Sequence, residues 1–490
     1  MINFLKLSAF ELASLVKKKE ATPLEIFDVH AELIEKYNLI LNAAVELNLE
    51  NGRKQAQKYT SGLMNKKELP PLYGVPFTCK EMFSIKGFKR TGGNVYYKNQ
   101  VSTETATIFD RISKAGGILL ATTNVPEFGF WFETNNQVYG RTSNPYNEKR
   151  TSGGSSGGEG ALIGLGASPF GLASDIGGSI RIPASFCGVF GHKPSAGIIP
   201  LTGHFPMSHA TLKALPLDKY PMTTAGPLCR SAKDLRPLIQ ILKGPDGIDP
   251  RCRAVEFDLK ISKPKKIFFI SDPLIQGASS TSLEVQNCII KSVNYLKEVG
   301  YPTEELPRDF FIKGLDLWFN ILNKTDHVPF ADLVSPEKKL NFLQELPKLI
   351  LGTSSHTLPT YILSLMEFVK DKTKDETTSL EIARLSSLLD QLKSKLNRLL
   401  NNENVLLFPT QPQPAPLHDY LLATPFDYIY CGIFNALENP STQVPIGMSS
   451  KELPIGMQIV GPLNYDHLGI SLAEELELAF GGWTPPRFKS

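Results

Sequence analysis

Between Ser152 and Arg181 the chain carries two glycine-serine clusters. The first reads Ser152-Gly153-Gly154-Ser155-Ser156-Gly157-Gly158-Glu159-Gly160, and the second reads Ser174-Asp175-Ile176-Gly177-Gly178-Ser179-Ile180-Arg181. Small apolar residues, Ala161 to Ala173, join them. Paired glycines free the backbone, let main-chain N–H groups face a cleft and leave room for a ligand. Serines inside such clusters are exposed hydroxyls on a rigid backbone, a pattern that points to hydrolytic chemistry.

Three chemistries compete for these residues. A phosphate-cradling loop wants GxxxxGK[ST] after a strand, and no lysine follows these glycines. A Ser-His-Asp hydrolase wants its nucleophile in GxSxG, whereas Ser179 stands in Gly178-Ser179-Ile180-Arg181. None of the eight histidines occupies such a motif; His192, in Gly191-His192-Lys193-Pro194, reads as a structural loop residue. The third chemistry needs no histidine: a serine nucleophile, a second serine that relays its proton, and a lysine as base.

The candidate lysine is Lys80, in the strand-like run Phe77-Thr78-Cys79-Lys80-Glu81. On residue type alone it reads first as a strand-end ion-pair partner of Glu81 or another acid. To act as a base it must shed a proton that an ordinary lysine holds to pH ~10.4, which burial and nearby positive charge would accomplish. The apolar segment Val75 to Cys79 offers that burial. The backbone around Asp175 to Ser179 then offers N–H donors to a tetrahedral oxyanion, each worth about 3 to 4 kcal/mol in well-studied cases.

Just before the first cluster runs the aromatic group Phe128, Phe130, Trp131 and Phe132. It reads either as core packing or as the wall of an apolar substrate pocket. Apolar stretches at 342–351 and 358–368, broken by Pro347, Gly352 and Pro359, read as core, with a lipid-facing cap or acyl channel as the alternative.

The elements that must hold these residues follow from periodicity. Pro23 to Tyr37 and Leu41 to Tyr59 carry helical spacing. A strand at 77–81, a helix at 103–115 stopped by Gly116-Gly117, and a strand at 118–121 give the order of an α/β sheet. Further on, the pattern predicts helices at 232–242 and 282–299, a strand at 266–270, and an almost wholly helical stretch from about 305 to 400. Strands return at 405–409 and 454–461, and a helix at 466–480 closes the chain. The expected organisation is one domain over 1–490: N-terminal helices (1–70), a core carrying the clusters (70–230), a mostly helical insertion (240–400) and a return to the sheet (405–490).

Composition narrows the function. A chain of 490 residues with 42% hydrophobic content can bury a large core, and 52 basic against 49 acidic residues give no charge signal for nucleic acid. Six cysteines without a CxxC pair argue against a zinc site or a disulfide framework and fit a reducing, cytoplasmic setting. The first 23 residues read as an amphipathic helix rather than a signal peptide, and no window offers the ~20 apolar residues of a membrane span.

Taken together, the motifs resemble the amidase signature family. The resemblance rests on Gly153 to Gly160, Asp175-Ile176-Gly177-Gly178-Ser179-Ile180-Arg181-Ile182-Pro183, Gly191-His192-Lys193-Pro194, Gly74 to Glu81, Pro445-Ile446-Gly447 and Leu453 to Gln458. Within the family the chain is most similar to fatty-acid amide hydrolases of the type-2 kind, through Gly153–Gly160, Asn144-Pro145-Tyr146, Gly191 to Ser195 and Phe480-Gly481-Gly482-Trp483. The resemblance implies a mixed, mostly parallel sheet sandwiched by helices. It implies Ser179 as nucleophile, Ser155 as the bridging serine next to a cis peptide, and Lys80 as base. The N–H groups of Ile176, Gly177, Gly178 and Ser179 would form the oxyanion hole, supported by Ser156, Asp175 and Arg181, with Phe128, Phe130 and Trp131 binding substrate. No metal or cofactor is implied. The expected partner is a small amide, hydrophobic or long-acyl, with a small-amide or aryl-acylamide hydrolase and the glutaminase subunit of a tRNA-dependent amidotransferase as alternatives. Animal relatives carry an N-terminal membrane segment that these residues do not match; peripheral membrane contact and a homodimer stay open.

Overall fold

The computed structural model describes residues 3–206, 222–256, 262–325, 334, 340–372 and 376–487. Helices α1 (Ala9–Lys17) and α2 (Pro23–Leu41) open the chain. Each starts on a reciprocal cap, Ser8 with Glu11 and Thr22 with Glu25, and Pro23 occupies the first turn of α2. The helical pattern read through 41–59 is interrupted: Asn42 turns left-handed (φ 48°), and β1 (Ala44–Leu47) forms a short edge strand before α3 (Leu49–Gly62). Then come β2 (Pro76–Lys80), α4 (Thr107–Lys114) and β3 (Ile118–Thr123).

Two small ribbons follow, β4 (Asn135–Asn136) with β5 (Gly140–Arg141), and β6 (Ser143–Asn144) with β7 (Asn147–Thr151). The central part holds α5 (Gly157–Leu165), β8 (Phe170–Asp175), α6 (Arg181–Phe186), β9 (Phe190–Lys193), β10 (Thr224–Cys229) and α7 (Leu235–Leu242). The next part holds β11 (Ile267–Phe269), α8 (Leu283–Glu298), β12 (Thr303–Glu305), α9 (Gly314–Thr325), α10 (Phe342–Ile350), α11 (Leu358–Lys372) and α12 (Glu376–Leu400). The chain returns through β13 (Val405–Pro409), α13 (Ile429–Ala436), β14 (Ser441–Met448) and β15 (Pro454–Val460) to α14 (Asp466–Phe480).

Eleven strands form one sheet in the order β1-β3-β2-β8-β10-β9-β14-β15-β13-β11-β12. The α/β architecture expected from the sequence is present, with one correction to its pairing. Only β3–β2, β2–β8, β13–β11 and β11–β12 are parallel, and the other six junctions are antiparallel. Helix-glycine-strand patterns signal the parallel crossovers, whereas a direct connection such as Ser449 to Leu453 between β14 and β15 can only return antiparallel. Both β11 and β12, from the stretch read as an insertion, sit inside this sheet.

The sheet is covered on both faces. One apolar cluster packs α1, α7, α8 and α14 against it, through residues such as Leu12, Leu238, Val293 and Leu472. A second places Trp318, Leu396 and Phe434 over β11 and β13, so the leucine-rich α12 is core along part of its length, with Leu396 and Leu400 fully buried. Every residue of α5 is buried. That helix carries the first glycine-serine cluster into the centre of the molecule, and its glycines are what allow it there. A Cβ on Gly158 would lie 2.5 Å from the Asn124 nitrogen and 2.6 Å from the Ala43 oxygen. The glycines of this cluster thus serve close packing as well as backbone freedom.

Candidate active site

Two adjacent parallel strands set the site. Lys80 is the last residue of β2 and Asp175 the last of β8, so both stand at the carboxyl edge of the sheet, where open α/β sheets bind ligands. Lys80 is 1% exposed. Its Nζ lies 2.7 Å from Ser155 Oγ, 3.1 Å from Ser174 Oγ and 3.5 Å from the Ser174 carbonyl oxygen. Glu81, the partner that residue type alone suggested, faces elsewhere and accepts from the N–H groups of Thr91 and Gly92. Burial lowers the Lys80 pKa to about 7, opposed by the negative charges of Asp175 and Glu159.

Ser155 sits between β7 and α5 in a backbone held at several points. Gly154-Ser155 is a cis peptide. A Cβ on Gly154 would fall 2.6 Å from the Trp131 oxygen, so only glycine fits before the serine. Thr134 Oγ1 donates to the Gly153 oxygen at 2.9 Å and accepts from Gly157 N–H at 3.1 Å. The two clusters are tied together where Ser156 N–H donates to the Ser179 oxygen at 3.2 Å. The Ser156 hydroxyl reaches the Ser174 oxygen only at 3.5 Å.

The second cluster is organised by Asp175. Its Oδ1 accepts from Gly178 N–H at 2.7 Å, and its Oδ2 accepts from Ile180 N–H at 3.1 Å and Arg181 N–H at 3.4 Å. Arg181, wholly buried, closes a ring with Asp175 through Nε at 3.0 Å and Nη2 at 2.9 Å. Its remaining donors reach Asn435 Oδ1 at 2.6 Å, Gln458 Oε1 at 2.8 Å and the Cys431 oxygen at 3.1 Å. Burial alone would raise the Asp175 pKa, but the Arg181 charge holds the carboxyl well below the usual carboxylate range. Gly178 N–H, expected among the oxyanion donors, is therefore committed to Asp175. Among the described residues the N–H groups of Ile176, Gly177 and Ser179 carry no hydrogen bond.

Ser179 lines a cavity of about 220 Å³ whose walls include Phe130, Trp131, Trp318, Ile362, Met366 and Phe426. Two of the three expected substrate-binding aromatics are thus at the pocket. Phe128 is not. It has φ 54° inside the turn Glu127–Gly129, and its ring stacks on Phe205 at 5.6 Å in an apolar cluster with Met82 and Val125.

Ser174, His204, Trp318, Phe426, Tyr428 and Asn435 are the site residues that sequence reasoning missed. Trp318 Nε1 donates to the Ile176 oxygen at 3.1 Å, and the Tyr428 ring covers Gly177, where a Cβ would lie 3.2 Å from it. His204 Nε2 is 2.8 Å from Ser174 Oγ. Of these Ser174 had a signal, at the head of the second glycine-serine cluster, as did Gln458 within the run Leu453 to Gln458. His192 lies in β9, not in a loop, and is held by Thr442 at 2.9 Å and Asp466 at 3.1 Å.

The Amidase family model matches residues 28–468. The chain belongs to the Amidase family. It is an amide-hydrolysing enzyme. The amidase is 33% identical to fatty-acid amide hydrolase 2 of Homo sapiens, across 98% of this chain and 90% of that protein. It is 27% identical to an acylamidase of Rhodococcus erythropolis, across 96% of this chain and 95% of the relative. Its fold superimposes on a bacterial aryl acylamidase of the amidase signature enzymes with a TM-score of 0.77 and 24% identity, covering 98% and 96% of the two chains. Among the described residues no helix of this amidase is long and apolar enough to cross a membrane.

Proposed function

We propose that this amidase hydrolyses a carboxylic amide with an apolar, long-acyl group, using Ser179 as nucleophile, Ser155 as relay and Lys80 as base. The observation that carries the reading is the 2.7 Å contact of Lys80 Nζ with Ser155 Oγ, buried beside the Ser179 cavity. A lysine titrating near pH 7 is neutral for a large part of the time at physiological pH, and a neutral amine has a lone pair for the Ser155 proton.

The steps balance as follows. Ser179 Oγ bonds to the substrate carbonyl carbon, its proton passes to Ser155 and the Ser155 proton to Lys80. The carbonyl oxygen becomes an oxyanion that accepts from the N–H groups of Ile176, Gly177 and Ser179, while Gly178 N–H keeps the loop in shape through Asp175. When the C–N bond breaks, the proton returns from Lys80 through Ser155 to the departing nitrogen, which leaves as neutral amine or ammonia. Water then attacks the acyl-enzyme by the same path in reverse and releases the acid.

The cavity supports the substrate class. Its walls are aromatic and aliphatic, so an acyl chain gains by burial there, about 0.8 kcal/mol per methylene, whereas the polar end of glutamine would find few partners. α10 exposes Leu343 and Ile350, and α11, packed on it through Phe342 with Tyr361 and Phe368, partly exposes Ile362 and Met366 of the cavity wall. This apolar rim supports peripheral contact with lipid as the source of substrate. The test is a chain-length series of acyl amides on the purified protein, with a fluorophosphonate to trap the nucleophile. Rising kcat/KM with chain length and labelling lost in Ser179→Ala are expected; short amides cleaved best, or labelling that survives the substitution, would overturn the reading.

A further inference from the structure

The geometry points to His204 as a positioning residue that sets the direction of the hydrogen bonds around Lys80, acting through the Ser174 hydroxyl. This inference rests on Lys80 being the base, as proposed above.

Ser174 Oγ lies between two nitrogens, Lys80 Nζ at 3.1 Å and His204 Nε2 at 2.8 Å. It has one proton and must give it to one of them. A neutral lysine has two N–H donors and one lone pair. If Ser174 gives its proton to Lys80, it occupies the lone pair on which proton transfer from Ser155 depends. If it gives its proton to His204, Lys80 donates to Ser174 Oγ and to the Ser174 carbonyl, and its lone pair is left facing Ser155 Oγ. The second arrangement requires Nε2 to accept, so the imidazole must be neutral with its proton on Nδ1.

The surroundings favour the neutral ring, and since Nδ1 is buried with no hydrogen-bond partner among the described residues, the Nε2 contact with Ser174 decides the tautomer. Burial and the charges of Lys80 and Arg90 push the His204 pKa down to about 3, so the ring stays neutral across the working range. Lys80 itself faces Asp175 and Glu159. The fold fixes the ring mechanically as well. His204 and Phe83 form an isolated antiparallel bridge on the chain that continues β2, with Ser84 N–H donating to the Gly203 oxygen at 2.9 Å and Phe205 N–H to the Met82 oxygen at 2.8 Å. The imidazole also sits against the Phe83 ring, centroids 4.9 Å apart and edge-on. The histidine is thus registered against Phe83, three residues past the lysine it serves.

The experiment compares His204→Leu, which has no acceptor, with His204→Gln, whose side-chain oxygen can reach toward Ser174, and His204→Asn, which is polar but one bond too short. The readout is the pH profile of kcat on a decanoyl 4-nitroanilide, with thermal melting as a check on folding. Leu and Asn are expected to lower the kcat plateau about tenfold, near the upper end of what one neutral hydrogen bond is worth. They also move the acid limb to lower pH, because Ser174 now donates to the neutral amine and favours it. Gln restores both. In a Ser174→Ala background the His204→Leu change has less than about a twofold effect, since its intermediary is gone. A plateau or acid limb unmoved in both Leu and Asn variants, Gln no better than Leu, or full additivity with Ser174→Ala would overturn the inference. If Lys80→Ala alone leaves kcat and its profile intact, the base assignment fails instead.

Discussion

Lys80 and Glu81 are neighbours in the chain, both 1% exposed, and they face opposite sides of the end of β2. Lys80 reaches the serines, while Glu81 holds the Thr91-Gly92 loop. Burial moves both toward neutrality from opposite directions, Lys80 down to about 7 and Glu81 up to about 7. The alternation of a strand separates two groups that would otherwise have formed an ion pair and cancelled each other.

The pH dependence of activity follows from this. Only neutral Lys80 can accept a proton, so kcat should climb about tenfold per pH unit below about 7 and level off above it. The effects on stability have opposite signs. Between about pH 7 and ~10.4 the unfolded chain binds the Lys80 proton better, so that contribution to stability rises with pH. Between about 4.5 and 7 the native state holds the Glu81 proton, so that contribution falls. A kcat profile that stays flat from about pH 5 to about pH 9 would exclude a base of this kind.

Replacing Lys80 by Ala should separate amides from esters. A departing amine needs the proton that Lys80 returns, and an alkoxide needs it less. Amide hydrolysis should fall about 10³-fold, at the centre of the general acid–base range, and hydrolysis of the matched ester distinctly less. Paired assays on a decanoyl anilide and a decanoyl ester decide it, and equal losses would count against the relay.

Arg181→Met should be strongly destabilising. It strands the Asp175 carboxylate in a site with no solvent and frees three further acceptors, a loss of about 3 to 5 kcal/mol. Urea unfolding of the variant measures this. A change below about 1 kcal/mol would mean that the ring joining Asp175, Arg181, Asn435 and Gln458 does not hold the loop.

Met366→Trp, at the cavity wall on α11, should shorten the acyl site. Displacing two to three methylenes at about 0.8 kcal/mol each predicts a loss in kcat/KM of roughly 15- to 60-fold for a long-chain anilide, with acetyl anilide little affected. Unchanged discrimination would put the acyl chain elsewhere.

Gly158→Ala tests the packing of α5. The added methyl meets backbone on two sides, so it should cost about 1 to 3 kcal/mol in thermal unfolding. A neutral outcome would show that α5 has slack.

How much of this was legible in the sequence depends on where each signal lies. Ser155, Ser179 and Lys80 stand in local patterns, glycine-serine runs and an apolar strand ending in a charge, and these mark exposed backbone and buried charge without knowledge of the fold. Asp466–Phe480 is a helix with the bounds its periodicity predicts. The edge strand β1 was hidden because Leu41 to Tyr59 keeps helical spacing across the left-handed Asn42. For Phe128 the residue type left core and pocket wall both open, and only the fold shows it packed on Phe205 in an apolar cluster. His204, Trp318 and Phe426 carried no signal, since each gains its role from a partner far away in sequence: a bridge to Phe83 for His204, and packing around Ser179 for the two aromatics.

The division of labour between sheet and helices has an evolutionary reading. Lys80, Asp175 and the serines are registered by adjoining strands and by glycines that admit no methyl, so drift there is met with loss of the enzyme. The far wall of the cavity comes from α9, α11 and the loop before α13, which, apart from the Trp318 N–H bonded to the Ile176 oxygen, meet the site through apolar contact. A lineage can therefore exchange Ile362, Met366 or Phe426 freely and change its diet of amides while its reaction stays the same.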